Sequence, residues 1–207
     1  ASSQVRASEL ATVAQTIDGT RIMVEYSRPR ARGRDTLFGT RAVHWGEVWT
    51  PGANWATTID VSKPVTINNQ RVPKGKYSVW FVVRKQGDWS LVLDSTVRRF
   101  HMDPPDTNKT LIRIPVKPRT TSFTEVLTWS FPEVRMNGAT LAFAWERVEI
   151  PIDIGVEPSL VTTLSASDAA PFLGSYTYTE NDSAGKPSKV LTFTITHEDG
   201  TLKGRFD

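Results

Sequence analysis

Tyr77-Ser78-Val79-Trp80-Phe81-Val82-Val83 reads as a β-strand in both composition and period. Tyr77, Val79, Phe81 and Val83 alternate with Ser78, Trp80 and Val82. Aromatic and β-branched side chains suit a pleated, packed surface. No apolar run in the chain is longer than Val79–Val83, and a membrane helix needs ~20 such residues, so the chain shown has no helical span. The same alternation recurs outward from this strand. Ile22, Val24 and Tyr26 alternate with Met23, Glu25 and Ser27, and Leu91 and Leu93 share one face of Trp89–Asp94. The runs Glu125–Phe131 and Leu141–Trp145 repeat it.

Turn residues punctuate these runs. Asp18-Gly19, Asn68-Asn69, Gln86-Gly87-Asp88 and Asn137-Gly138 fall where hairpins need positive φ. Val65–Val72 reads as a short hairpin around Asn68-Asn69. Prolines 64, 115, 118, 132 and 151 lie near run ends, as edge or terminal positions require. Ser8–Thr16 fits either a short helix or a first strand, and no twelve-residue segment shows a helical stripe. The expectation is an all-β protein. Residues 1–157 form an antiparallel β-sandwich or flattened barrel, 158–170 a linker, and 171–207 a small C-terminal β segment of about three strands around Asp199-Gly200. Three strands alone are marginal, so the segment is expected to dock, pair with a partner, or open a longer domain.

The 207 residues are 39% hydrophobic and 23% charged, a globular balance that can bury roughly 70% of the unfolded surface. Without cysteine there is no disulfide, thiol nucleophile or Cys-ligated metal. The chain starts at Ala1-Ser2-Ser3-Gln4, small and polar, which suggests a removed signal peptide and export. Net charge is only +3, but Arg28, Arg30, Arg32 and Arg34 alternate, and Arg41 follows. Such a cluster suits phosphates, carboxylates or anionic headgroups, or is a solvated loop paired with Asp and Glu. Three tryptophans follow within eleven residues: Trp45, Trp49 and Trp55, around a Pro51-Gly52-Ala53-Asn54 turn. They form either a core plug or a binding surface, with Asn54 as turn holder or hydrogen-bonding partner. The long connections 28–50 and 95–110 are the candidate rims of a site.

Several segments in one order resemble a bacterial domain-of-unknown-function family, number 2911. They are Tyr26-Ser27-Arg28-Pro29, Gly33-Arg34, Phe38-Gly39, Gly46-Glu47-Val48-Trp49, Pro51–Thr57, Pro73–Ser78, Trp89–Leu93, Arg113–Val116, Glu125–Trp129, Trp145-Glu146 and Val148–Val156. The resemblance covers about residues 10–157. It implies an exported protein of the bacterial envelope and carries no established reaction. The family pattern has Arg where Thr50 stands, Glu where Trp55 stands, and Pro-Tyr in place of His44-Trp45. This member therefore looks more aromatic and less charged there. The tail from Phe172 is similar to the opening strands of lipocalin-like modules.

Catalytic signatures are few. His44, His101 and His197 are the only histidines; His44 and His101 would need Asp94, Asp103 or Asp106 to make a two-His-one-carboxylate metal set, and no ligand spacing marks one. There is no Gly-x-Ser-x-Gly elbow and no glycine-rich phosphate loop. Glu125 and Glu146, in apolar company, read as buried partners of Arg113 or Arg147. No catalytic residue, metal or cofactor is assigned. The expected function is a non-catalytic extracytoplasmic module, periplasmic or on the outer face of the envelope and membrane-peripheral. It would act as an accessory subunit that contacts a protein partner or anionic headgroup through Arg28, Arg30, Arg34, His44, Trp45, Trp49, Asn54 and Trp55. The alternatives are a periplasmic small-molecule or glycan binder, and a hydrolase or metal-dependent enzyme. Export argues against nucleic acid. Exposed arginines add little stability, so replacing Arg28, Arg30 and Arg34 is expected to leave the fold intact.

Overall fold

The computed structural model describes residues 7–106, 111–159 and 163–206. Part of the second long connection (107–110) and part of the linker stretch (160–162) thus lie outside the described residues. The chain divides into two compact units, Ala1–Pro158 and Ser159–Asp207.

The first unit is two antiparallel sheets. One contains β1 (Glu9–Ile17), β2 (Thr20–Arg28), β3 (Val48–Trp49), β4 (Thr58–Val61), β7 (Gly75–Val82), β8 (Trp89–Asp94) and β9 (Ile112–Val116). Its order is β1-β2-β4-β7-β8-β9, with β3 also paired to β7. The other contains β5 (Val65–Ile67), β6 (Gln70–Val72), β10 (Arg119–Arg135) and β11 (Gly138–Val156), in the order β10-β11-β5-β6. Between them lies one apolar core. Ile22, Val24, Tyr26, Val79, Phe81, Leu91 and Leu93 come from the first sheet; Leu127, Trp129, Leu141, Phe143, Ile152 and Ile154 come from the second. The free space at its centre is about 10 Å³, roughly one water, so the sandwich interior is filled by its own side chains.

Of Ser8–Thr16, the stretch from Glu9 onward is strand. β1 pairs with β2 through the Asp18-Gly19 turn, both residues at positive φ (43° and 70°). Asn68 and Asn69 (45° and 66°) close the β5–β6 hairpin in the same way. Asn137-Gly138 differs: neither residue has positive φ. Gly138 is needed there because a Cβ would sit 2.6 Å from the Ile154 carbonyl oxygen. Pro151 is also not terminal. It lies inside β11, where the strand leaves β10 (last pair Glu149–Arg119) and joins β5 (first pair Ile154–Ile67), a stretch where no ladder bond is lost.

The opposite face of β7 is covered too. Trp80 is fully buried with Ala56 and Val92. Its indole N–H donates to Ser78 Oγ (3.1 Å), which donates to the Thr96 carbonyl (2.9 Å), so the second long connection lies over this face.

The carboxylates of Glu146, which is buried, and Glu125, which is half-buried, do not take the expected arginine partners. Glu146 Oε2 accepts the backbone N–H groups of Leu37 (3.0 Å) and Phe38 (3.3 Å). Glu125 Oε1 accepts the Arg32 N–H (2.9 Å), and the Arg147 guanidinium lies over the Phe123 ring. Both carboxylates hold the first long connection in place.

The second unit begins with α1 (Ala166–Ala169), capped by the Ser165 hydroxyl, and a 3-10 turn, Ala170–Phe172. A three-stranded antiparallel sheet follows: β12 (Gly174–Asn181), β13 (Pro187–Glu198) and β14 (Thr201–Phe206). Asp199 and Gly200 (52° and 76°) make its tight turn, and Phe193 packs on Phe206 across Gly204. Among the described residues no helix is long and apolar enough to cross a membrane.

Candidate functional site

Two loops of the first unit are zipped together. The Ala56 N–H donates to the Arg99 carbonyl (2.9 Å), the His101 N–H donates to the Asn54 carbonyl (2.9 Å), and Trp55 bridges Phe100. Asn54 makes the turn possible. It takes positive φ (64°), as Asn tolerates, and its side-chain amide donates to the Ser8 carbonyl and to Ser27 Oγ. Arg99 anchors the other loop. Its guanidinium donates to Asp94 (2.8 Å) and Asp103 (3.3 Å), and Asp94 is buried. Truncating Arg99 to alanine leaves that carboxylate unpaired. The expected loss is about 2–3 kcal/mol, below the range for fully buried pairs because Arg99 itself is partly exposed, and urea unfolding checks it.

The zip creates a cleft of about 350 Å³. Trp55 forms a wall at 45% exposure, edge-on to Phe100 (5.9 Å), with the Arg98 guanidinium 4.9 Å over its ring. Leu10, Tyr26 and Val97 add apolar surface; Glu25, Ser27, Lys76 and Thr58 add polar groups. Lys76 approaches Glu25 only at 4.0 Å. Thr58 is 6% exposed, and its hydroxyl has no hydrogen-bond partner. A buried hydroxyl without a partner costs about 1–3 kcal/mol and calls for an explanation; the Trp145 indole N–H, in the core, is the other such group among the described residues. A slightly larger cleft, about 370 Å³, runs past Pro64, Thr66, Arg71 and Glu157, but its polar side chains are all exposed.

The residues singled out by sequence scatter over three environments. Arg28 faces inward: it donates to the Leu127 carbonyl (3.2 Å) and Thr128 Oγ1 (2.9 Å), tying β2 to β10. Arg34 folds back onto the carbonyls of Ala31 (2.7 Å) and Arg30 (3.1 Å). The arginine stretch is therefore no free loop, since Ala31 and Leu127 also exchange backbone bonds across it with Glu125 and Pro29. Replacing Arg28 and Arg34 removes bonds the fold uses, against the expectation of an unchanged fold. Arg30 is exposed and shares a cleft of about 180 Å³ with Arg28 and Glu9.

Trp49 is core: 8% exposed, stacked on Trp145 (5.9 Å), and edge-on to Phe38 and Phe143. Trp45 lies over Gly39, where any Cβ would collide with its indole, and stays 41% exposed. His44 is exposed, and its Nδ1 is 3.3 Å from Glu47 Oε2 within one turn. Of the eight, only Trp55 lines the cleft, with Asn54 holding its turn.

Among the described residues His44 and His101 do not join a carboxylate in a metal-holding group. The His101 ring packs on Phe100 (4.5 Å), and burial lowers its pKa, keeping the imidazole neutral near pH 7. Among the described residues no three His, Asp or Glu side chains converge on a metal position. Sequence reading misses Thr58, Lys76 and Arg98. Arg98 lies in a connection already marked as a rim, but nothing in a Thr57-Thr58 dipeptide announces a hydroxyl without a partner.

No curated protein and no solved structure matches the chain. A family model described as a protein of unknown function, DUF2911, matches residues 8–154. That span contains both sheets but for the last two residues of β11, both zipped loops and the cleft, and the chain belongs to the DUF2911 family.

Proposed function

We propose that the first unit is a non-catalytic, extracytoplasmic binding module that holds a small ligand or a glycan unit in the Trp55 cleft. The observation that carries this reading is the Thr58 hydroxyl, buried at the cleft floor without a partner beside a half-exposed tryptophan. Ligand sites combine apolar walls with a few placed polar groups, and this cleft has that composition near the lower end of their usual volume. The hydroxyl has next to no exposed surface of its own, so a ligand bonds to it only if neighbouring lining side chains shift; Trp55 and Val97 among them are not buried. Glu25 is the one carboxylate among the lining residues, and no histidine lines the cleft, which suits holding over acid–base chemistry. The His44–Glu47 pair is a surface turn, 69% and 36% exposed, and lacks the water-excluded setting that strengthens catalytic electrostatics. The accessory-subunit reading is weaker here, because Arg28 and Arg34 bond within the fold and Trp49 is buried.

The test is a glycan array of neutral and acidic oligosaccharides probed with the full chain and with Trp55→Ala. Retention of at least one saccharide class is expected, weakened about tenfold or more by Trp55→Ala, a difference of about 1.4 kcal/mol. Trp55 is half-exposed, so the thermal midpoint should move by only a few degrees. Equal retention by both proteins, or none by either, rejects the cleft as the site.

A further inference from the structure

We infer that the cleft ligand carries a carboxylate and that Arg98 is the residue that reads it, the class being a uronate-type sugar; this inference rests on the binding reading above. Arg98 is exposed and, among the described residues, makes no ion pair; its recorded contact is the face of Trp55. Its neighbour Arg99 is fastened to Asp94 and Asp103, and the backbone at Arg99 and His101 is bonded to Ala56 and Asn54. Arg98 therefore projects from an anchored segment while its own head stays uncommitted. A guanidinium resting on an aromatic ring gains cation–π attraction and is held in place before any anion arrives.

The charge count selects a monoanion. Arg98, Lys76 and one carboxylate, Glu25, line the cleft, leaving a single positive charge in excess around it. Lys76 has Glu25 at 4.0 Å, whereas Arg98 has no carboxylate partner among the described residues, so the excess is assigned to Arg98. A phosphate dianion would overshoot that charge and meet Glu25; one carboxylate matches it. The planar fork of arginine also fits a carboxylate with two parallel N–H···O bonds. The rest of the cleft suits a sugar ring. Trp55 offers apolar surface to a face of C–H groups, Glu25 offers a polar contact for a ring hydroxyl, and the buried Thr58 hydroxyl adds a second only after lining side chains shift.

The experiment titrates the full chain with matched disaccharides that differ only at C6, hydroxymethyl in one and carboxylate in the other. Tryptophan fluorescence is read at low and high salt, for the native chain, Arg98→Gln, Arg98→Lys and Lys76→Gln. Tenfold or greater preference for the uronate is expected in the native chain. It should shrink with salt, vanish in Arg98→Gln and partly return in Arg98→Lys. Equal affinity for both disaccharides overturns the role of Arg98 while the cleft reading survives. Preference for the uronate that persists in Arg98→Gln and disappears in Lys76→Gln also overturns it, moving the anion to Lys76. Binding of neither disaccharide overturns the assignment of a uronate, and the Trp55→Ala array result then decides the cleft reading on its own.

Discussion

Phe81→Ala should lower the unfolding free energy of the first unit by about 3–5 kcal/mol, the range for a fully buried phenylalanine truncated to alanine. Phe81 has no exposed surface. Its ring centroid lies 5.5 Å from Phe143, 6.1 Å from Trp89 and 6.2 Å from Trp129, so three aromatic rings from β8, β10 and β11 lose a common neighbour. The core has almost no spare volume into which these rings could relax, which puts the effect toward the upper end. Urea unfolding followed by tryptophan fluorescence measures it, and for a chain of this size the midpoint should fall by roughly 10 °C or more. Phe81→Leu should recover about half the loss, since it refills most of the volume without the ring contacts. A loss below about 1.5 kcal/mol for the alanine variant would place the centre of the core elsewhere.

Glu146→Ala should be nearly as damaging, by about 3 kcal/mol, for a different reason. Each bond from a backbone N–H to the carboxylate contributes about 1.5–3 kcal/mol, and both Leu37 and Phe38 are buried, so their amides gain no water in exchange. Phe38 then loses its position against Trp49, Trp89 and Trp145. Glu146→Gln keeps a carbonyl acceptor in the same place and should lose only about 1 kcal/mol. Glu146 also takes positive φ (57°) opposite a register break in β10, a strain that alanine does not relieve. Near-UV circular dichroism should report the loosened indoles in the alanine variant and stay close to native in the glutamine variant. Equal signals from the two would show that the hydrogen bonds are not what holds the loop.

These two residues mark the limits of reading the sequence. Phe81 is legible because the period of two around it survives into the fold: its face is the core face, and the Asp18-Gly19 and Asn68-Asn69 turns fix the neighbouring registers. Glu146 is legible only as a carboxylate in apolar company. Its partners are backbone amides more than a hundred positions earlier, and amides leave no mark on a sequence. The same asymmetry governs the arginines. Arg28 and Arg30 look alike in an Arg-x-Arg-x-Arg run, yet one is drawn to a β10 carbonyl and the other points outward. Trp80 was legible as strand but not as doubly enclosed, because the segment that covers it comes from a connection with no strand period. The cleft combines both difficulties. Its wall was marked by a tryptophan-rich turn, while its floor is defined by a bond that is not made.

The distribution of indoles gives the molecule an optical property of its own. Of its seven tryptophans, Trp49, Trp80, Trp89, Trp129 and Trp145 are buried, and only Trp45 and Trp55 are exposed. A collisional quencher in the solvent thus reaches two emitters and leaves five bright. Iodide is drawn preferentially to the one beneath the Arg98 guanidinium, while neutral acrylamide treats the pair alike. The difference between the two quenchers singles out Trp55 in the unaltered chain, so occupancy at that ring can be followed by light alone, without label or mutation.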